Sequence, residues 1–255
     1  MELQKTKDIS YALKTIEGHF PAAFRPVASP RKTAPQATSY WQVRIDPLTN
    51  PVLLAYLKER GILPEIAKKT CKEVHFLNKG RWYFAVGFAN RGGGYEIRNK
   101  YLKGSISPKE ITYIQNGSDR CIVVEGFMDY LSYLTLKATH PGNGQPKRNG
   151  LDYIVLNSVS NVGKAIPVLK EYKSALCLLD NDSAGRQAFQ QMAEAGCPVR
   201  DKSDCYWEYN DLNDYLLDKK MSQENKTDSP SVSHVNQSIQ KNNRKSIENY
   251  RKMSW

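Results

Sequence analysis

Two short acidic segments each follow a run of apolar residues. Glu125 ends the run CIVV, and Asp129 comes four residues later, one helical turn on. Asp180 and Asp182 end the run SALCLL, with one residue between them. Carboxylates gathered at one point repel each other unless a cation lies among them, and oxygen ligands favour a hard ion. The pattern therefore predicts a site for Mg²⁺ or Mn²⁺.

The glycines beside these carboxylates make the pattern more specific than a D-x-D pair alone. An isolated acidic residue before a helix is commonly an N-cap, which explains one carboxylate per helix but not two paired segments. Here E-G-x-x-D follows one strand and D-x-D-x-A-G follows another. We expect Gly126 to let the chain turn out of its strand and Gly185 to let the next helix pack closely.

The surrounding pattern alternates strands with helices. The apolar runs CIVVEGF, DYIVLNS and SALCLLDND are each followed by a segment of helical spacing, and a short strand is expected around PVRDKS. This alternation predicts an α/β fold, a parallel sheet with flanking helices and right-handed crossovers. Ligands of such sheets bind beyond the carboxyl ends of the strands, where Glu125, Asn157, Asp180 and Asp182 all fall.

A basic segment precedes this sheet. Residues 51–120 hold 13 Lys and Arg against 6 Asp and Glu, whereas residues 121–220 hold 11 against 13. The segments VLLAYLKERGI and PEIAKKT have helical spacing, and RWYFAVGFAN and YEIRNKYL read as a hairpin around three glycines. We predict a small α+β lobe that binds phosphates beside a domain that binds a cation.

The chain is therefore divided into four parts. We expect an N-terminal helix and Pro-rich linker over 1–49, the basic lobe over 50–118, the parallel-sheet domain over 119–220 and a disordered basic tail over 221–255. No apolar run of membrane-spanning length and no secretion signal is present, so we expect a cytoplasmic protein without a membrane partner. The five scattered cysteines support neither a disulfide framework nor a zinc ribbon, and Cys121 and Cys177 are expected in the core.

The acidic segments also resemble a known family. VVEGFMDYL and LLDNDSAGRQA resemble the two signature motifs of the Toprim domain, the metal-binding module of DnaG-type primases, topoisomerases and related nucleases. NDLNDYL is similar to a third acidic segment of primase-like Toprim domains. The resemblance implies that Glu125, Asp180 and Asp182 are catalytic, and that the metal is held by Glu125, Asp129, Asp180, Asp182, Asp211 and Asp214. Asn210 replaces the usual lysine, and Asn181 replaces a glycine, as in plasmid and mobile-element relatives.

The basic lobe resembles the N-terminal lobe of the DnaG-type catalytic core. LKERGI, VGFANRGGG and NKYLKGSISPKE are similar to three of its pieces, in the same order. By this resemblance Arg91 and Lys100 contact phosphates of nucleic acid or nucleotide, with Arg98 and Lys103 beside them. No Cys/His cluster stands ahead of residue 50, so we expect the zinc-binding domain of such primases to be absent. EGHFPAAFRP is similar to the linker that follows that domain in primase-like proteins of Bacteroides-type mobile elements.

Three functions remain open from the sequence. The first is a magnesium-dependent primase that makes short primers on single-stranded DNA from nucleoside triphosphates, with a replicative helicase or mobilisation proteins as candidate partners. A metal-dependent nuclease is the second, since the same carboxylates can activate water against a phosphodiester. The third is a DNA-binding accessory protein of a mobile element that has no catalytic activity.

Overall fold

The fold is taken from a computed structural model, which describes residues 42–139 and 150–218. The expectations for residues 1–41 and for the basic tail lie outside these ranges. The described residues form two five-stranded sheets. They include no helix long and apolar enough to cross a membrane.

The first sheet is antiparallel throughout. Its strands lie in the order β1 to β5, which is also their order in the chain. The predicted hairpin is confirmed, because β3 and β4 pair antiparallel around the glycine turn. The strand bounds are β1 Val43–Pro47, β2 Lys72–Asn78, β3 Arg81–Ala89, β4 Tyr95–Arg98 and β5 Lys103–Ile106.

Two helices connect β1 to β2, and they correspond to the two segments of helical spacing in the sequence. Helix α1 (Pro51–Glu59) begins with Asn50 as its N-cap, whose side chain accepts a hydrogen bond from the Val52 amide. Gly61, with φ +73°, ends this helix in the left-handed conformation that glycine adopts without strain. Helix α2 (Pro64–Thr70) begins with a proline in its first turn, where the missing amide hydrogen is not needed.

The second sheet contains the predicted parallel strands. Its order is β10-β9-β7-β8-β6, and β10, β9, β7 and β8 run parallel. Strand β6 (Thr112–Ile114) pairs antiparallel with β8 at one edge. The remaining bounds are β7 Arg120–Val124, β8 Asp152–Val155, β9 Ser174–Leu178 and β10 Val199–Asp201. The α/β fold with a parallel sheet after an α+β lobe is thus confirmed.

Helices follow the parallel strands as expected. Helix α3 (Phe127–Thr139) follows β7, and α4 (Val162–Leu169) follows β8 after a short 3₁₀ turn at Val159–Asn161. Helix α5 (Ser183–Glu194) follows β9. A second 3₁₀ turn at Ser203–Tyr206 comes after β10, and residues 212–218 are helical (α6). Cys121 and Cys177 are fully buried, as predicted for core residues.

The two sheets share one hydrophobic core. Phe88 of β3 stacks on Phe127 of α3 with ring centroids 5.5 Å apart, and it also contacts Tyr130 at 5.6 Å. Asn213 of α6 donates to the Arg60 carbonyl at 2.8 Å and to the Ser132 hydroxyl at 2.9 Å. These contacts hold the end of α1 and the inner face of the antiparallel sheet against α3 and α6.

Candidate functional site

Five carboxylates line one cleft of about 370 Å³, and four of them belong to the parallel-sheet domain. Glu125 directly follows β7, and Asp129 lies in the first turn of α3. Asp180 comes two residues after β9, and Asp211 precedes α6. The parallel register aligns Val124 of β7 with Leu178 of β9, so both strands end at the same edge of the sheet. The structure therefore brings together four of the six predicted metal-binding residues.

Asp129 is the most buried of these carboxylates, with 7% of its surface exposed. Its Oδ2 atom accepts a hydrogen bond from the Gly126 amide at 3.2 Å, whereas Oδ1 is buried without a partner. Burial, and then the charge of Asp211, raise the pKa of Asp129 to about 7. An unpartnered carboxylate oxygen of this kind indicates a position for a ligand.

Asp180 and Glu125, like Asp129, are carboxylates whose pKa is raised by burial and by neighbouring negative charges. Burial, followed by the charges of Asp129 and Glu125, raises the pKa of Asp180 to about 8. The pKa of Glu125 is also raised, first by burial and then by the charge of Asp182, and its Oε2 atom is buried without a partner. Mutual repulsion in a poorly solvated cleft is what the acidic pattern predicted.

Asp182 and Asp214 do not line the cleft. Asp182 is exposed and is the N-cap of α5, where its Oδ1 accepts a hydrogen bond from the Gly185 amide at 2.8 Å. Its charge still raises the pKa of Glu125, so it lies at the margin of the acidic cluster. Asp214 lies in α6, where its amide donates to Oδ1 of Asp211 at 2.7 Å.

Gly185 shows why the sequence after Asp180 folds as it does. A Cβ atom at this position would lie 2.2 Å from the Asp180 carbonyl oxygen, a distance that real atoms do not reach. The first turn of α5 therefore packs directly on the backbone of the strand end, as the sequence analysis expected of this glycine. This close approach sets where Asp180 enters the cleft.

The opposite wall of the cleft is basic and comes from the antiparallel sheet. Arg98 of β4 and Lys103 of β5 are direct cross-strand partners, and both line the cleft. The positive charge of Lys103 lowers the pKa of Glu125, in opposition to burial. Arg60, at the end of α1, lines the cleft as well, and its Nε atom is buried without a partner.

Arg91 and Lys100, the other two predicted phosphate contacts, lie elsewhere. Arg91 contacts Glu110 at 3.4 Å and donates through Nη2 to the Lys164 carbonyl at 3.4 Å. Lys100 pairs with Glu59 at 3.1 Å on an exposed part of the surface. Neither side chain lines the cleft.

Asn181, which replaces the usual glycine between the aspartates, has a role that the sequence did not reveal. Its Nδ2 atom donates to the carbonyls of Tyr209 at 2.9 Å, Tyr206 at 3.0 Å and Ser203 at 3.4 Å. Its backbone amide donates to the Asn210 carbonyl at 2.7 Å. The residue therefore ties the segment that leads to Asp211 to the end of β9.

Arg60 and Glu96 line the cleft but were not predicted as site residues from the sequence. Glu96 stands two residues before Arg98 in β4, and alternation along a strand places both on one face. The two-residue spacing of Glu96 and Arg98 is visible in the sequence and could have placed Glu96 beside Arg98. The position of Arg60 depends on how α1 packs against α6, which the sequence alone does not specify.

The donor set of the cleft fits a magnesium-like ion. All four carboxylates of the parallel-sheet domain offer oxygen ligands, and two of their oxygens are buried without hydrogen-bond partners. Within residues 42–139 and 150–218, no group of three or more His, Cys, Asp or Glu side chains is arranged so that it could hold a metal ion by itself. Mg²⁺ commonly binds through one or two carboxylates together with waters and substrate phosphates, and such a site needs no complete set of protein ligands.

Both sheets correspond to known sequence families. Residues 122–216 match the model of a family described as Toprim-like. Residues 42–107 match the model of a domain of unknown function, DUF8464. A search of curated proteins gives no match.

The chain is also similar to solved structures of primases at low identity. The primase fragment of the bacteriophage T7 primase-helicase protein is 17% identical, with 75% of this chain and 79% of that chain covered and a TM-score of 0.48. The Aquifex aeolicus primase, represented by its zinc-binding and RNA polymerase domains, is 16% identical. There the match covers 78% of this chain and 62% of that chain, with a TM-score of 0.44.

Proposed function

Because residues 122–216 form a Toprim-like domain, we propose that the protein is a magnesium-dependent nucleotidyltransferase that synthesises short primers on single-stranded DNA. Its substrates are nucleoside triphosphates, and its site is the cleft between the two sheets. One observation carries the proposal: the same cleft is lined by four carboxylates of the parallel-sheet domain and by arginine and lysine of the preceding lobe. A polyphosphate with a bound cation has complementary groups for both walls.

The basic wall binds and orients the phosphates. Arg98 and Lys103 stand side by side on neighbouring strands, so their cationic groups present a row of donors to phosphate oxygens. Arg60, at the end of α1, adds a third cation to the lining of the cleft. Phosphates held in this way lie against the carboxylate wall, which converts a reaction between separate molecules into one between positioned groups.

The carboxylate wall binds the cation and accepts a proton. Glu125, Asp129, Asp180 and Asp211 would hold Mg²⁺, which would neutralise charge on the phosphates and promote ionisation of the attacking hydroxyl. In the reaction the 3′-hydroxyl oxygen forms a bond to the α-phosphorus, and the bond from that phosphorus to the pyrophosphate oxygen breaks. Glu125, which lines the cleft, accepts the hydroxyl proton.

The test is incubation of the protein with single-stranded DNA, the four ribonucleoside triphosphates and magnesium. The proposal predicts new oligonucleotides whose length and yield depend on the template. Cleavage of the DNA without synthesis would identify a nuclease. Binding of DNA without synthesis or cleavage would identify a non-catalytic accessory protein.

The matched variants are Asp180→Asn and Glu208→Asn. Asp180 lines the cleft, whereas Glu208 is exposed and lies outside it. Each substitution removes one negative charge. We expect the first change to abolish synthesis and the second to leave it within about twofold. Equal loss in both variants would contradict the placement of the site.

A further inference from the structure

Glu96 is an acidic side chain on the basic wall of the cleft. It lies in β4 on the same face as Arg98, two residues away, because side chains alternate along a strand. Its cross-strand partner in β5 is Ser105, and the partner of Arg98 is Lys103. The face that meets the nucleotide cleft thus carries a carboxylate and a hydroxyl beside two cations.

The side chain of Glu96 makes no hydrogen bond and no ion pair within 4 Å among the residues that the structure describes. Burial raises its pKa to about 7, although the charges of Lys109 and Lys103 act in the opposite direction. The side chain is half-buried, but its carboxylate oxygens are not among the buried unpartnered atoms, so they keep contact with solvent. A donor group of a ligand in the cleft can replace that solvent.

The ligand group that meets Glu96 must be a hydrogen-bond donor. An ionised carboxylate only accepts hydrogen bonds, and it repels phosphate oxygens. A nucleoside triphosphate offers its phosphates to cations and its ribose hydroxyls as donors. The phosphates therefore belong at Arg98 and Lys103. Of the remaining donors, the ribose hydroxyls and the amino groups of the base, the ribose lies nearer to the phosphates, so we assign the ribose to Glu96.

The spacing of the two residues agrees with this assignment. Two residues along an extended strand are separated by roughly 6.6 Å. This is comparable to the separation between the α-phosphate of a nucleotide and the hydroxyls of its ribose. A nucleotide whose phosphates contact Arg98 can thus extend its sugar along β4 toward Glu96.

We propose that Glu96 accepts hydrogen bonds from the ribose hydroxyls of the bound nucleotide and makes the cleft selective for ribonucleotides over deoxyribonucleotides. The inference rests on the proposed function, because it assumes that the cleft binds a nucleoside triphosphate. Glu96 is then a specificity-determining residue, and Arg98 and Lys103 provide affinity that both kinds of nucleotide share.

The test is equilibrium binding of ATP and of 2′-deoxyATP to the full chain in the presence of magnesium, measured by titration calorimetry at pH about 8. A hydrogen bond to a charged group contributes about 1.5 to 3 kcal/mol, so we expect ATP to bind at least about tenfold more tightly than 2′-deoxyATP. Glu96→Gln should reduce this ratio to about threefold or less by weakening ATP binding, while 2′-deoxyATP binding is retained.

Glu96→Gln keeps the shape of the side chain, and no hydrogen bond within the described protein is lost by the change. Glu65→Gln is the control, because Glu65 is exposed on α2 and does not line the cleft. It removes the same charge from the same lobe. We expect it to leave both affinities within about a factor of two.

Several results would overturn the inference while leaving the proposed function intact. One is binding of ATP and 2′-deoxyATP to the unaltered protein with equal affinity. Another is an equal change of both affinities in Glu96→Gln, which would mean that Glu96 acts only through its charge. A third is a change in the ratio of GTP to ATP affinity, which would assign Glu96 to the base. If the unaltered protein binds no nucleotide at all, the proposed function fails together with the inference.

Discussion

Replacement of Asn181 by alanine tests how the acidic segment after β10 is held. The side-chain amide of Asn181 donates hydrogen bonds to the carbonyls of Tyr209 at 2.9 Å and Tyr206 at 3.0 Å, and a longer one to the carbonyl of Ser203 at 3.4 Å. A hydrogen bond contributes roughly 0.5 to 1.5 kcal/mol to stability, and the third contact is too long to count fully. We therefore expect Asn181→Ala to lower the free energy of unfolding by about 1 to 3 kcal/mol.

The assay is urea unfolding followed by circular dichroism, with Gln187→Ala as the control. Gln187 is an exposed amide on α5, and no contact of its side chain is found among the described residues. The control should stay within about 0.5 kcal/mol of the unaltered protein.

The same substitution should also weaken binding of magnesium. Asp211 directly follows Asn210, whose carbonyl is bound by the backbone amide of Asn181. The alanine variant keeps this backbone bond but loses the side-chain bonds around it, so Asp211 becomes less well positioned. A loss of stability below about 0.5 kcal/mol, together with unchanged magnesium affinity, would refute the role assigned to Asn181.

Three further predictions follow from the packing and charge of the cleft. Gly185→Ala should lower the free energy of unfolding, measured by urea titration, by about 2 kcal/mol or more, because the added Cβ would collide with the Asp180 carbonyl. Gly163→Ala in α4 is the control, because open space surrounds that position, and it should not lower the free energy of unfolding by this amount. Arg98→Ala should reduce the slope of log affinity for single-stranded DNA against log salt by about 0.7, and Arg91→Ala should change it by less than half as much; equal slopes would contradict the basic wall. Without metal, the free energy of unfolding should decrease as the pH rises from about 5 to about 8. In this range Asp180 is already ionised in the unfolded state, whereas in the folded state it keeps its proton up to a pKa of about 8. Asp180→Asn should flatten this decrease in a pH series of urea titrations, and an unchanged profile would show that Asp180 is not desolvated.

The parallel sheet could be predicted from the sequence because its strands are continuous apolar runs. Strands buried on both faces carry no alternation, and each was followed by a segment of helical spacing. The glycine at 185 was recognisable by a steric requirement of the backbone, the close packing of the following helix. Local requirements of this kind can be recognised in the sequence because they do not depend on the packing of distant residues.

Four of the strands in the two sheets were not predicted from the sequence. Strand β1 lies within the range that the sequence analysis assigned to the linker, and β2, β5 and β6 were not assigned at all. Strands β5 and β6 are only four and three residues long. Their formation depends on pairing with a neighbour, which no local pattern reveals.

The site was predictable where residues follow strand ends and unpredictable where it depends on packing between the sheets. Glu125 and Asp180 followed from strand ends that a parallel register brings together. Arg91 and Lys100 were singled out by resemblance alone, and their side chains pair with Glu110 and Glu59 outside the cleft. Which cations of the basic lobe reach the carboxylates is decided by the contact of Phe88 with α3.

The most direct test of the central claim is the rate of magnesium-dependent nucleotide incorporation on single-stranded DNA by the unaltered protein and by Glu125→Gln. The substitution preserves the shape and one ligand oxygen of the side chain but removes its charge and its capacity to accept a proton. The account predicts that the rate falls by at least about a hundredfold while DNA binding, which depends on the opposite wall, is retained. Incorporation that survives Glu125→Gln within a factor of about three would contradict the assignment of this strand end as the catalytic centre.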